Sequence, residues 1–228
     1  MKKYETLIFD LDDTLIDNNQ SIKYPFSIMI KELAIEYDEK IFEAWKKFDN
    51  LYWHTWESGK MVIPDYVKTV EDRITYLRAN RFMMFFESLN LNFKKAIELN
   101  DLYCSLLGVN IVEITDASKL LHELKENYEL FIATNGPMEA AHNKLEKANL
   151  KSCISSVVSS EEVGYSKPMP EFFNFLCDKT QNKDRSKMLL IGDSLTTDIL
   201  GGMNNGIDTC WFNPNNIPLP SDYTPTMT

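Results

Sequence analysis

Four aspartates, Asp10, Asp12, Asp13 and Asp17, fall within eight residues directly after the apolar run TLIF at 6–9. Carboxylates crowded together repel, and each raises the pKa of its neighbours. A turn alone would need one Asp beside a Gly or Asn, so this density asks for a positive charge among the acids. Asp10 and Asp12 lie two apart, the spacing that sets side chains on one face of an extended segment. Farther along, GDSLTTD supplies Asp193 and Asp198, TNG supplies Thr134 and Asn135, and GYSKP supplies Lys167. Asp10, Asp12 and Asp193 in one small volume form the oxygen-rich donor set of a Mg²⁺ site. Thr134-Asn135-Gly136 precedes Pro137, which suits the first position of a helix. A hydroxyl and backbone N–H groups at such a helix start suit a phosphate, and Lys167 is the cation that phosphoryl transfer requires. Taken singly, each of these residues has an ordinary role as cap, turn or surface residue. Together they describe a divalent cation and a phosphoryl group held side by side. Asp13 should point away from Asp12 and serve the loop or a cap, and Asp17 belongs to a hinge.

These residues act together only if the fold collects them. TLIF, LFIAT (130–134), MLLIG (188–192) and DTCWF (208–212) are short apolar runs that predict buried strands, with ISSVVSS (154–160) a weaker fifth. Amphipathic segments at 118–127, 138–150 and 171–180 separate those in the second half, which predicts a parallel sheet covered by helices on both faces. Ligands of such sheets bind beyond the carboxyl ends of the strands. Thr14 follows the first strand with Asp10 and Asp12, and the remaining candidates follow later strands. Residues 18–107 carry helical spacing throughout and predict an all-helical insertion, with hinges near 16–20 and 107–112. Gly59 and Gly108 are expected helix stops and Pro64 a helix start. The α/β core is thus expected over 1–17 and 108–228. The Pro- and Asn-rich tail reads as loop, ending in a Thr-rich stub that resembles the start of a strand.

The net charge of −10, with no basic block, argues against polymeric nucleic acid as a partner. A small anionic ligand stays open, because one local cation can dominate a site. Four scattered cysteines without a CxxC pair suit a reducing compartment. Only four apolar residues precede Asp10, and no apolar run reaches membrane-spanning length. A cytoplasmic protein with no membrane partner, monomeric or homodimeric, is expected.

DLDDT, TNG, SKP and GDSLTTDI, in that order, resemble the four motifs of the haloacid dehalogenase-like hydrolases. The insertion after the first motif resembles that superfamily's helical cap. WHTWESGK, NRFMMFFESL, SSEEVGYSKP and DILGGMNNGIDTCWFN look closer still to its pyrimidine 5′-nucleotidase branch. The resemblance implies a Rossmann-like core and a helical domain that sets substrate specificity. It implies that Asp10 attacks phosphorus to form an aspartyl-phosphate and that Asp12 acts as general acid and then base. It further implies Mg²⁺ on the Asp10 carboxylate, the Asp12 carbonyl and Asp193, and Thr134, the Asn135 backbone and Lys167 on the phosphoryl oxygens. Thr14 and Asp198 would support that shell. A small phosphomonoester, in particular UMP, dUMP or dTMP, is the implied substrate. Trp53 and Phe82 match the branch's pattern and are candidate base contacts, with Arg81 a candidate polar contact, although rings at helical spacing also pack cores. Phosphatases for sugar phosphates or phosphoglycolate fit the core equally well. A haloacid dehalogenase would need neither Mg²⁺ nor a carboxylate at position 12, and a non-enzymatic phospho-acceptor would not need Asp12 as acid/base. The helix after the insertion starts EITDASKLL, without the family's usual Pro-Gly-Ala, and family members usually carry a last strand and helix where this sequence stops.

Overall fold

The computed structural model describes residues 4–57, 60–90, 95–181 and 183–228. The chain divides into two compact units, one of residues 1–18 and 111–228, the other of residues 19–110.

The first unit is built on five parallel strands: β1 (Thr6–Phe9), β2 (Glu129–Thr134), β3 (Ser156–Ser159), β4 (Met188–Gly192) and β5 (Asp208–Trp211), in the order β3-β2-β1-β4-β5. The chain starts in the middle, builds outward to β3, then returns across β1 to build the other half. That reversal places the topological switch point beside β1, where α/β sheets bind ligands. Side chains alternate between two cores, as strand geometry requires. Leu7, Phe9, Leu130 and Ile132 pack on one face with Leu121 and Leu145, whereas Ile8, Phe131, Ala133 and Leu190 pack on the other with Phe172, Phe173 and Leu176. Those partners belong to helices at Ala117–Leu124, Met138–Lys147 and Pro170–Lys179, so both faces are covered. Phe9 is in register with Ile132 on one side and Ile191 on the other. Asp10, the next residue, therefore stands beside the carboxyl ends of β2 and β4. At the outer edge of β5, Met227 forms a parallel bridge with Cys210: its N–H donates to the Thr209 carbonyl (3.0 Å) and its carbonyl accepts from Trp211 N–H (2.9 Å). The stub thus contributes a single bridge to β5.

The second unit consists of helices, the main ones α1 (Lys23–Glu32), α2 (Glu39–Glu57), α3 (Val70–Ser88) and α4 (Ala96–Leu106). Continuing the numbering, Ala117–Leu124 is α5, Met138–Lys147 α6 and Pro170–Lys179 α7. Helix α3 does not begin at Pro64: Thr69 caps it in a capping box with Asp72, which supplies the N-terminal partners Pro64 cannot. Gly108 lies just beyond α4 with φ +94°, a left-handed conformation that Gly adopts without steric cost. Gly59 lies outside the described residues. The unit's core is aromatic, with Phe26, Trp45, Phe82, Phe85 and Phe86 all buried.

Candidate active site

β1 delivers Asp10 to the sheet edge, where its N–H donates to the Ile191 carbonyl of β4 (2.8 Å). Leu11, Leu15 and Ile16 are buried and anchor the loop that follows, leaving its polar residues at the rim. The loop turns at Asp13, whose φ is +60°, and the Asp13 carboxylate accepts from Asn18 N–H (3.0 Å), the capping role expected of it. Thr14 ties the loop to β4: its Oγ1 accepts from Asp193 N–H (3.1 Å) and donates to Asp193 Oδ1 (3.4 Å).

At the end of β2, Thr134 Oγ1 accepts from Gly136 N–H (3.0 Å), leaving its own proton free to donate. The Asn135 side chain clasps the backbone of residue 167 in both directions: Oδ1 accepts from Lys167 N–H (2.9 Å) and Nδ2 donates to the Lys167 carbonyl (3.1 Å). Asn135 therefore fixes the lysine loop with its side chain, in addition to the backbone group the sequence singled out. Glu161, which reads in sequence as a solvated loop acid, accepts from Met138 N–H (2.9 Å) and caps α6.

Lys167 is the buried hub. Its Nζ donates to Asp10 Oδ1 (2.7 Å) and Asp198 Oδ1 (2.6 Å), and it is only 1% exposed. Asp198 is equally buried, and its Oδ2 accepts from Ser194 N–H (3.1 Å). Both Asp198 oxygens are thus engaged, which suits a supporting role. Asp10, Asp193 and Asp198 each offer a carboxylate oxygen, all within 4.8 Å of one another. Burial, then the Asp198 and Asp193 charges, push the Asp10 carboxyl well above the usual carboxylate range even with Lys167 beside it. Burial, followed by Asp198 and Asp13, pushes Asp193 up to about 7. Burial works against the Lys167 charge, but Asp10 and Asp198 outweigh it and hold the ammonium above its ordinary value.

Three close carboxylates face one ammonium, so negative charge is left over. The donors are hard oxygens, and Asp10 and Asp193 are the pair not consumed by Lys167 and Ser194 together. The donor set fits a small divalent cation.

Asp12 has a partner that the sequence reading missed. Lys144, on α6, ion-pairs with Asp12 Oδ1 and lies 3.5 Å from Asn18 Oδ1. The available signal was its place on the apolar stripe of α6 beside Ala140, Ala141 and Leu145, where a solvated lysine has no reason to be.

The proposed base contacts sit differently. Phe82 is fully buried and stacks on Trp45, with centroids 4.8 Å apart and planes 6° from parallel. Arg81 is buried too, bonded to Asp49 Oδ1 (2.9 Å), with its guanidinium over the Trp45, Trp53 and Phe82 rings. These side chains make the inner packing of the helical unit. Phe82 and Arg81 thus pack on neighbours in their own unit, while Trp53 is half-buried against Arg81.

Residues 4–206 match the haloacid dehalogenase-like hydrolase family. The HAD hydrolase YfnB of Bacillus subtilis is 30% identical over 226 residues, covering 99% of this chain and 91% of that one. The pyrimidine 5′-nucleotidase YjjG of Escherichia coli is 27% identical, covering 99% and 93%. A crystal structure of YfnB bound to magnesium superposes with a TM-score of 0.87 at 28% identity, covering 99% of this chain and 94% of that one. With its parallel sheet, helical insertion and carboxylate-lysine cluster, the chain belongs to the haloacid dehalogenase-like hydrolases and is an enzyme of their phosphatase type.

Proposed function

We propose that the protein is a Mg²⁺-dependent 5′-nucleotidase that hydrolyses pyrimidine nucleoside monophosphates through an aspartyl-phosphate. The observation that carries the chemistry is the division of labour between the acids after β1: Asp10 is buried on Lys167, while Asp12 is held separately by Lys144. Two carboxylates in different environments can take two roles.

An Asp10 oxygen attacks phosphorus as the bond to the nucleoside 5′-oxygen breaks, and Asp12 gives that oxygen its proton. Asp12, now a carboxylate, takes a proton from water as the water attacks the acyl phosphate. The P–O bond to Asp10 then breaks, releasing phosphate and restoring both acids. The Thr134 hydroxyl, the Asn135 N–H and Lys167 bind the phosphoryl oxygens, and Asn135 holds Lys167 in place through its backbone. Asp10, the Asp12 carbonyl and Asp193 would hold Mg²⁺, which supplies charge neutralisation at the phosphoryl group. Magnesium in the YfnB crystals supports the choice of ion.

The substrate reading is supported by near full-length similarity to YjjG. Phosphate release from UMP, dUMP, dTMP, purine nucleotides, sugar phosphates and phosphoglycolate, with Mg²⁺ and with EDTA, tests it. Mg²⁺-dependent turnover should peak on the pyrimidine monophosphates. A peak on another ester would retain the acids and discard the nucleotidase assignment, and turnover in EDTA would discard the metal.

A further inference from the structure

We infer that Lys144 is the positioning residue for Asp12, holding one oxygen of the acid/base carboxylate so that the other faces the phosphate-binding turn; this rests on the mechanism just proposed. Lys144 is 3% exposed, on a helix face otherwise made of Ala140, Ala141 and Leu145. Burying an ammonium is costly unless it is paired, and fixing a long lysine side chain adds a loss of conformational entropy. Packing alone would be better served by a leucine. The cost is offset by the pair with Asp12 Oδ1, with Asn18 Oδ1 nearby at 3.5 Å.

Lys144 and Lys167 serve different carboxylates. Lys167 takes Asp10 and Asp198, and Lys144 takes Asp12, two residues from Asp10. Asp12 is thereby kept out of the Lys167 cluster. Its Oδ2 lies toward the turn after β2, 3.7 Å from where a Cβ on Gly136 would stand. Oδ1 is anchored and Oδ2 is presented. A general acid must lie within hydrogen-bond reach of the leaving oxygen, and a shift of about 1 Å costs on the order of a hundredfold in rate. Asn18 is the last residue of the sheet unit before the helical one, so the same ammonium also touches the chain at that crossing.

The test compares Lys144→Met with wild type on a nucleoside monophosphate, whose alkoxide must be protonated as it leaves, and on 4-nitrophenyl phosphate, whose phenolate needs little help. Because kcat/KM reports transfer to Asp10, it isolates the acid step. Lys144→Met should lower kcat/KM for the nucleotide by about 30-fold and for the nitrophenyl ester by less than about threefold. Lys144→Arg should recover most of the loss, and the inhibition constant for inorganic phosphate should not move. In an Asp12→Asn background, Lys144→Met should change kcat/KM by less than about twofold, since its route of action is already gone. Where the Met variant does not fold, Lys144→Gln carries the same expectations. An unchanged kcat/KM in a folded variant overturns the inference, as does an equal loss on both esters that persists in Asp12→Asn. Wild-type protein that hydrolyses neither ester overturns the mechanism and this inference with it; active wild type beside an unaffected variant overturns this inference alone.

Discussion

Gly192, the last residue of β4, offers a severe test of how tightly the buried cluster is built. A Cβ at this position would stand 2.3 Å from Asp198 Oδ2, 2.4 Å from its Cγ and 2.7 Å from its Cβ. Gly192 is not among the glycines with positive φ, so Ala fits its backbone and the whole effect is steric. Asp198 cannot yield cheaply, because Oδ1 is on Lys167 and Oδ2 on Ser194 N–H in a site 1% exposed. Moving it breaks one arm of a buried ion pair, a change worth about 3 kcal/mol when one partner is lost. At roughly 2–4 °C per kcal/mol for a chain of this size, Gly192→Ala should lower the melting temperature by about 6–12 °C. Lys167 would keep only Asp10, and kcat/KM should fall by on the order of a hundredfold. Thermal and urea unfolding followed by circular dichroism, beside initial rates of phosphate release, read both effects. A Gly192→Ala protein within about 0.5 kcal/mol of wild type and fully active would show that Asp198 can swing aside, and that the Lys167 cluster is not the rigid unit described.

Asp10→Asn should lose on the order of a thousandfold or more in turnover, while its unfolding free energy in urea moves by less than about 1 kcal/mol, because burial already disfavours the charge it removes and the Asn oxygen can still accept from Lys167. More than a few per cent residual activity would remove Asp10 as nucleophile. Dialysis against EDTA should abolish turnover and Mg²⁺ should restore it; Mg²⁺ at a hundred times its dissociation constant should also stabilise wild type by about 2.7 kcal/mol. Asp193→Asn should abolish that stabilisation, and equal stabilisation of the variant would relocate the ion. Phe82→Ala should cost roughly 3–5 kcal/mol, as expected for a buried ring stacked on Trp45. A raised KM for nucleotides with unchanged unfolding would instead return Phe82 to the role of a base platform.

The strands were legible because each is a short apolar run between polar turns, and β1 and β4 have the residue limits their patterns suggest. The candidate residues of the sheet unit were legible for a related reason. Acids, a hydroxyl and a lysine placed just past strand ends have few places to go except one edge. Helix starts were harder to read: Pro64 carries a strong local signal, yet the reciprocal bonds between Thr69 and Asp72 decide where α3 begins. The spacing of α6 marks Lys144 as an inward lysine, but its choice of a partner 132 residues away leaves no local mark. Arg81 and Phe82 show how one pattern serves two ends. Their pattern is a good one for a ligand, but in an insertion whose core is built from rings the same residues pack against one another.

The charges of the sheet unit's rim explain how a chain of net charge −10 can serve an anionic substrate. Asp10, Asp12, Asp193 and Asp198 stand against Lys144 and Lys167, a local excess of two negative charges when all are ionised. Both ammoniums are already spoken for, Lys144 by Asp12 and Lys167 by Asp10 and Asp198. A phosphate dianion approaching this set alone would meet repulsion that neither lysine could relieve without abandoning a carboxylate. Burial first, and the neighbouring carboxylates after it, raise the Asp10 and Asp193 carboxyls. A divalent cation held by these acids would restore neutrality, and Lys167 could then be shared between Asp10 and an incoming phosphoryl oxygen. Substrate affinity should therefore depend on the metal as strongly as turnover does. Inorganic phosphate binding, followed by calorimetry, should be weak in EDTA and at least tenfold tighter with saturating Mg²⁺. Equal affinity under both conditions would mean that the lysines suffice and that the carboxylate excess has another purpose.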